Sequence, residues 1–273
     1  MCKTSKKCAI LHRRCDAKDD CPLLNKNIGG AYRSFLYGIT SAFAKVTKCS
    51  TSAHFRRYSQ RCDDRVSLKI CELALCEDID LISKGEERKD SAPLIILILE
   101  SPDVKEYKRV NKKEKVPKPA RGRTGKEIMK RIVGLLNTVS TFHEWRIALI
   151  NPIQYSCSFG GLLSSRRKND VFATLFTGDI VECFKRRLNA ICCNRDYVIL
   201  NCCTTEGRDE INKILDSKDI SFLSMSHPSS WRYLKDKKLQ CRVNGKGKEL
   251  KLTVKMFKKV IVRKEYQENK CHS

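Results

Sequence analysis

The chain has 273 residues, 41% of them hydrophobic, so it can bury a core, and its composition excludes an intrinsically disordered chain. Its apolar stretches are too short for a membrane-spanning helix or a signal peptide, which predicts a soluble protein with no membrane partner, in the bacterial cytoplasm at the nucleoid or in a eukaryotic nucleus. Lys and Arg number 55 against 31 Asp and Glu, and the net charge of +24 favours nucleic acid as partner over a membrane surface, an acidic protein or a charge that serves solubility alone.

Residues 1–90 are rich in Cys, Arg and Lys, and we predict a basic, helical N-terminal extension with a helix around Val66–Cys76. The 16 cysteines of the chain are too sparse for a small disulfide scaffold, so most are expected to be reduced and buried. Four of them cluster at the start, with spacings that match no CxxC ligand pair: Cys2, Cys8, Cys15 and Cys21. We therefore predict no metal and no cofactor, with a metal at these four cysteines as the alternative.

Residues 91–235 are predicted to form the core domain, in which short apolar runs alternate with helical patterns. Continuous apolar runs of this length are typical of strands covered on both faces of a parallel sheet. The first helix is predicted to begin at a capping box, Thr124–Glu127. Two further helices are predicted over 178–191 and 207–215. The order predicts an α/β fold, a three-layer α/β/α sandwich around a four-stranded parallel sheet. The four runs are Leu94–Leu99, Ile147–Ile150, Tyr197–Leu200 and Ile220–Met225.

Residues 236–273 are predicted to form a basic C-terminal β-hairpin. Asn244-Gly245 is a sequence typical of a two-residue hairpin turn. After it, apolar residues alternate with polar or charged ones, as in a strand with one basic outer face. The apolar positions are Leu250, Leu252, Val254 and Met256, and the others are Lys251, Thr253 and Lys255.

Polar residues follow each of the four apolar runs. The first run is followed by Glu100-Ser101-Pro102-Asp103, the second by Asn151-Pro152, the third by Asn201 and the fourth by Ser226-His227-Pro228-Ser229. Open parallel sheets bind their ligands at the carboxyl ends of the strands. The sequence therefore predicts a binding or catalytic site at this edge of the sheet.

Four segments of the chain, three of which contain these strand ends, resemble the motifs of the uracil-DNA glycosylase superfamily. LILESPDVKEY is similar to its first motif, of the form G-E-x-P-G or G-Q-D-P-Y, and SMSHPSSW to its last, H-P-S. ALINPIQY resembles the intermediate strand that ends in Asn, and PARGRTGKEI the P-F-x-G segment before the first long helix. The resemblance covers roughly residues 92–235. It implies a monomeric DNA glycosylase that acts on DNA, leaves an abasic site and needs no cofactor or metal.

The resemblance also implies catalytic roles. Breaking an N-glycosidic bond places positive charge on the sugar and negative charge on the departing base. Glu100 matches the carboxylate beside the sugar, Glu106 a second acidic position, and His227 the residue that stabilises the leaving base. The alternatives are that Glu100 caps a neighbouring helix, that Glu106 is an exposed loop residue and that His227 is structural.

Base and DNA contacts are implied in the same way. Asn151 matches the amide that reads the edge of a flipped-out base, with an ordinary turn residue as the alternative. Trp231 lies where the family has an apolar wedge, although it can equally be a core aromatic beside Tyr233. The basic loop Lys105–Arg123 is a phosphate-contacting segment or a solvated linker. The further base-binding candidates are Ser101, Asp103 and Ala120, and the DNA-binding candidates are Ser229, Trp231, Arg232, Arg121 and Arg123.

The sequence departs from the family pattern at several positions. Ala120 replaces the Phe that stacks on uracil, Asp103 replaces a Gly, and Tyr155 and Cys157 follow Asn151 where an R-P pair is usual. Since stacking on an aromatic is worth roughly 1–3 kcal/mol per base, the missing ring suggests a bulkier substrate. We hypothesise a hypermodified pyrimidine of phage DNA, and thus an antiviral defence enzyme.

Three other functions stay open. They are a housekeeping uracil-repair glycosylase, a glycosylase-like domain that binds DNA without catalysis, and an unrelated nucleotide-processing hydrolase. The last is disfavoured because the sequence has neither a Walker P-loop nor a Gly-rich dinucleotide fingerprint.

Overall fold

The computed structural model describes residues 62–66, 92–107, 119–120, 122–154, 157, 169, 172–173, 175–234 and 239–262. The described chain forms an α/β fold around a seven-stranded mixed sheet, in the order β1-β3-β2-β4-β5-β6-β7. The strands are β1 Arg65–Val66, β2 Leu94–Ile98, β3 Arg146–Ile150, β4 Tyr197–Asn201, β5 Phe222–Met225, β6 Gln240–Val243 and β7 Lys246–Lys251.

The four apolar runs form the centre of this sheet. β2 pairs in parallel with β3 on one side and with β4 on the other, and β5 pairs in parallel with β4. Every residue of β2 has no exposed surface, as expected of a strand that has a neighbour on each side and a layer on each face. The prediction of a four-stranded parallel sheet is nevertheless wrong in extent, because three antiparallel strands extend this centre.

Residues of β2 alternate between two separate hydrophobic cores. Ile96 and Ile98 pack in the core beneath Gly178–Cys192 (α2) and Thr205–Asp216 (α3), whereas Ile95 and Leu97 pack in the core on the opposite face. The opposite core also receives buried residues of the helix that begins at Arg123 (α1) and of Val254–Val260 (α4). The sheet is therefore covered on both faces.

Helix α1 is continuous but irregular: it comprises α-helix Arg123–Ile128, a π-helical turn Met129–Val133 and α-helix Gly134–Leu136. The predicted capping box is absent, because the helix already begins at Arg123 after Gly122 and no side chain caps it. Glu127 instead forms an ion pair with Arg131, at 3.0 Å between Oε2 and Nε.

Both edges of the sheet are formed by residues outside the predicted core domain. Arg65–Val66 pairs antiparallel with β3, so Val66 lies in a strand and not at the start of a helix, while residues 67–91 lie outside the described residues. At the other edge β6 pairs antiparallel with β5, and β7 with β6 around Asn244-Gly245. The sheet thus crosses the boundaries predicted near residues 90 and 235.

The predicted C-terminal strand ends early. β7 ends at Lys251, and Val254 and Met256 lie in helix α4. The side chain of Thr253 caps this helix by accepting a hydrogen bond from the backbone N–H of Met256. In the helix Phe257 and Val260 are buried in the core on the α1 side of the sheet.

The cysteines of the described residues are free thiols, and most are buried. Burial raises the pKa of the Cys192 thiol to about 12 and that of Cys202 still further. The N-terminal group Cys2, Cys8, Cys15 and Cys21 lies outside the described residues. No helix of the described segments combines the length and the apolar character required to cross a bilayer.

Raised thiol pKa values predict that stability falls in alkaline solution. The folded chain keeps Cys192 protonated, whereas the unfolded thiol ionises above its ordinary pKa of 9.0, so unfolding becomes more favourable as the pH rises from about 9 toward 12. Urea unfolding on either side of pH 9 measures this loss. It should be smaller in the Cys192→Ala/Cys202→Ala double variant, and an equal loss in both proteins would contradict the assignment.

Candidate active site

The parallel register brings the polar strand ends to one edge of the sheet. Ile98 lies opposite both Ile150 and Asn201, and Asn201 opposite Ser224, so the chain leaves β3, β2, β4 and β5 at the same level. The residues that follow are, in spatial order, Asn151, Glu100, Thr204 and His227. Since neighbouring strands are about 4.8 Å apart and only β4 lies between β2 and β5, the strands that precede Glu100 and His227 are about 10 Å apart.

Glu100 is held rigidly at the end of β2. Its side chain is 1% exposed, and its φ of 103° lies in the left-handed region that non-glycine residues rarely adopt. One carboxylate oxygen accepts hydrogen bonds from both the backbone N–H (2.8 Å) and the hydroxyl of Thr204. Thr204 is the N-cap residue of α3, so Glu100 does support a neighbouring helix terminus.

The surroundings of Glu100 leave little space. A Cβ at Gly207 would lie 3.3 Å from Cγ of Glu100 and 3.2 Å from the ring of Phe172. The side chain of Glu100 and the ring of Phe172 therefore both pack close to Gly207 in the first turn of α3. Such packing fixes the orientation of Glu100, which a catalytic carboxylate and a structural one both require.

Asn151 is buried at the end of β3, with 1% exposure. Its backbone carbonyl accepts a hydrogen bond from Arg187, and its backbone N–H donates to Asp64 at 3.4 Å. Among the residues that the structure describes, neither Oδ1 nor Nδ2 of its side chain has a hydrogen-bond partner. Because leaving a buried polar group unsatisfied costs about 1–3 kcal/mol, this amide is available to a ligand at a strand end.

A buried ion pair that the sequence analysis missed supports Asn151. Arg187 of α2 donates through Nη1 to both carboxylate oxygens of Asp64, and through Nη2 to the carbonyls of Asn151 and Pro152 at 3.0 Å each. Burial lowers the pKa of Arg187, but the Asp64 carboxylate more than compensates, and its pKa is raised overall. Asp64 and Arg187 are 123 residues apart in the chain, so local sequence gives no signal for the pair.

Glu106 is buried at 5% exposure, so it is not an exposed loop residue. Its Oε1 accepts from the backbone N–H of Ala120 at 2.7 Å, and its Oε2 from that of Asp103 at 3.1 Å. These bonds tie both ends of the predicted basic loop together. Asp103 itself is exposed, and Ser101 carries a buried hydroxyl with no hydrogen-bond partner within the described segments.

His227 is the N-cap residue of the 3-10 turn Pro228–Tyr233. Its Nδ1 accepts a hydrogen bond from the backbone N–H of Ser229 at 3.2 Å and lies 2.8 Å from the Ser229 hydroxyl. An Nδ1 that accepts from a backbone amide carries no proton, so the neutral ring carries its proton on Nε2. This tautomer provides a neutral donor at the site edge.

Trp231 does not match the wedge assignment. The side chain has no exposed surface, packs in the core on the α1 side of the sheet and donates from Nε1 to the carbonyl of Ser226 at 2.8 Å. A ring without exposed surface cannot fill a gap in a duplex, so this structure supports the alternative of a core aromatic. The exposed aromatic of the turn is Tyr233, which is 69% exposed and has the guanidinium of Arg232 4.1 Å from its ring centroid.

The remaining DNA-binding candidates lie near the same turn or outside the residues that the structure describes. α1 packs against the turn Pro228–Tyr233, which places the exposed Arg123 at the start of α1 in this region. Arg121 and residues 108–118 of the basic loop lie outside the described residues. Within the described residues, no group of three or more His, Cys, Asp and Glu side chains is arranged to hold a metal ion.

Comparison of the chain with family models, curated proteins and solved structures finds no match. A fixed carboxylate, a buried amide and a neutral imidazole follow three strands of one edge. Together they can stabilise a cation, bind a planar polar ligand and donate a proton to an anion.

Removing Arg187 is expected to destabilise the fold. In Arg187→Met, Asp64 stays buried without its partner, which should lower the free energy of unfolding by about 3 kcal/mol. The double variant Asp64→Asn/Arg187→Met should lose less than the sum of the single variants in urea unfolding. Glu210→Gln, at an exposed ion pair, is the matched control and should change stability by under about 0.5 kcal/mol; strictly additive losses at the buried pair would contradict the assignment.

Two glycines of α1 allow a paired steric test. A Cβ at Gly125 would lie 2.2 Å from the carbonyl oxygen of Ala120, whereas a Cβ at Gly134 meets nothing nearer than 3.8 Å. Gly125→Ala should therefore displace the Ala120 loop and cost about 2 kcal/mol, while Gly134→Ala should gain about 0.5–1 kcal/mol. Thermal unfolding measures both, and equal effects would refute the described loop path.

Proposed function

We propose that the protein is a DNA glycosylase that hydrolyses the N-glycosidic bond of a flipped-out pyrimidine and leaves an abasic site. The buried side-chain amide of Asn151 is the observation that carries this proposal. It offers a donor and an acceptor side by side at a strand end, which is the pattern that recognises the hydrogen-bonding edge of a base. The motif resemblance and the net charge of +24 support DNA as the source of that base.

Each strand end has a part in the proposed reaction. Asn151 binds the edge of the base, and the Nε2 proton of His227 stabilises the negative charge that develops on the departing base. Glu100 stabilises the positive charge on the sugar and orients the water that adds to it. The bond between the sugar and the base breaks and the base leaves as its anion. Water then adds its hydroxyl to the sugar, and the proton of that water passes to the Glu100 carboxylate.

The proposed substrate is a modified pyrimidine rather than uracil. Ala120 occupies the position at which the family that the sequence resembles has Phe, and the bond from its backbone N–H to Glu106 fixes the backbone at this position. A missing ring leaves volume for a larger base, such as the hypermodified cytosine of a phage genome. On this proposal the protein serves antiviral defence, and a uracil-repair role is the alternative within the same chemistry.

One observation favours a second candidate, a DNA-binding protein without catalysis. Glu100 accepts two hydrogen bonds from Thr204 at the start of α3, which is a sufficient structural reason for a buried glutamate. The two candidates differ in what the charge of Glu100 does. A Gln at this position keeps an oxygen that accepts from Thr204 but removes the charge.

The test is excision from duplexes that contain uracil, hypoxanthine or glucosylated hydroxymethylcytosine, with abasic sites as the readout. Wild type should release the glucosylated base fastest. Glu100→Gln and His227→Ala should each reduce the rate by about 10²-fold or more, while Glu210→Gln on the exposed face of α3 should retain it.

Thermal unfolding separates catalysis from folding in this test. Glu100→Gln should melt close to wild type, because the hydrogen bonds to Thr204 persist. If no base is released by wild type while DNA is bound tightly, the binding candidate is correct. Efficient release of uracil with no action on the bulky cytosine would overturn the modified-base proposal and leave the glycosylase chemistry.

A further inference from the structure

A strongly cationic surface lies outside the candidate site, at the C-terminal edge of the sheet. Between residues 240 and 262 six lysines are exposed, and the only acidic residue, Glu249, faces Arg242 at 3.6 Å. Six exposed lysines therefore share the segment with a single carboxylate. We call this the C-terminal cationic surface, formed by Lys246, Lys248, Lys251, Lys255, Lys258 and Lys259.

Edge protection accounts for only part of this charge. Lysines on an edge strand prevent pairing with another sheet, which explains Lys246, Lys248 and Lys251 on β7. Helix α4 has no such edge, yet its three lysines are exposed as well. A shared polyanionic partner explains the charge on both elements.

The packing of α4 argues against a lipid bilayer as that partner. An amphipathic helix binds a membrane by inserting its apolar face. In α4, Phe257 and Val260 are buried in the core against the sheet, so they cannot insert. Lysines on a rigid surface instead suit the phosphate backbone of a nucleic acid.

The register of the sheet relates this surface to the site. Met225 lies opposite Cys241, and Gln240 lies opposite Lys251, so Lys251 lies at the edge where the chain leaves β5 toward His227. β7 is two strands from β5, which is about 10 Å. Lys255 lies in the first turn of α4, which begins just after that edge.

The opposite end of the surface lies further from the site, by about 17 Å along β7 and about 6 Å along α4. Lys246 pairs with Val243, which in turn pairs with Leu223 near the start of β5. Lys259 lies near the end of α4, shortly before Val262 bridges to the first residue of β4. The surface therefore has a site end, with Lys251 and Lys255, and a far end, with Lys246 and Lys259.

We propose that the site end of the C-terminal cationic surface binds the phosphate backbone of duplex DNA that flanks the base held at the site. The proposal deepens the proposed function, on which the position of the flanking DNA rests. It assigns to Lys251 and Lys255 phosphate contacts that hold the duplex in register and carry no sequence preference.

A paired charge-removal experiment tests this. Lys251→Gln/Lys255→Gln and Lys246→Gln/Lys259→Gln each remove two charges from exposed positions on the same two elements. Binding of a fluorescein-labelled duplex that contains glucosylated hydroxymethylcytosine is measured over a salt series. The site-end variant should lose about 10-fold in affinity and about 2 from the slope of log K against log salt, while the far-end variant should lose less than about 2-fold.

The outcomes separate the two proposals. Equal losses of DNA affinity in both variants would show a general charge effect and overturn the surface proposal. Tighter binding of wild type to anionic phosphatidylserine vesicles than to DNA would also overturn it. If the two variants differ but wild type releases no base, the surface stands and the glycosylase proposal fails. If wild type releases the base and the two variants bind DNA equally well, the glycosylase proposal stands and the surface proposal fails. Thermal unfolding of both variants checks that each remains folded.

Discussion

The parallel pairing of β2 with both β3 and β4 is the constraint on which the rest of the structure depends. It buries all five residues of β2 and sets the level at which four successive strand ends leave the sheet. Because those ends share one level, residues that are up to about 130 positions apart in sequence become neighbours at one edge. The site is thus a consequence of strand register rather than of any single loop.

Glu100 is a group that the fold uses and that the proposed chemistry would use as well. Its unusual backbone conformation and its bonds to Thr204 fix the carboxylate against the start of α3. A group held this firmly needs no reorganisation when charge develops beside it, and the same firmness secures the helix terminus. Asn151 is held differently, through its backbone and the Asp64–Arg187 pair, which leaves its amide to a ligand.

The sequence predicted the strands well and the side-chain environments poorly. Continuous apolar runs identified β2, β3, β4 and β5 because strands that are buried on both faces consist mostly of apolar residues. The burial of Trp231 and the exposure of Tyr233 could not be predicted, since the direction of a 3-10 turn decides which of two nearby aromatics faces the core. The bond from Glu106 to Ala120 and the pair of Asp64 with Arg187 depend on how distant segments dock, which periodicity does not encode.

The pairing at the edges of the sheet limits which fragments of the chain keep every central strand paired. Arg65–Val66 completes one side of β3, and Gln240–Val243 completes one side of β5. A fragment limited to residues 91–235 would present the unpaired amide and carbonyl groups of two apolar strands to solvent, and such strands recruit other chains. The two flanking segments thus cover strand edges that would otherwise be open to pairing with another chain.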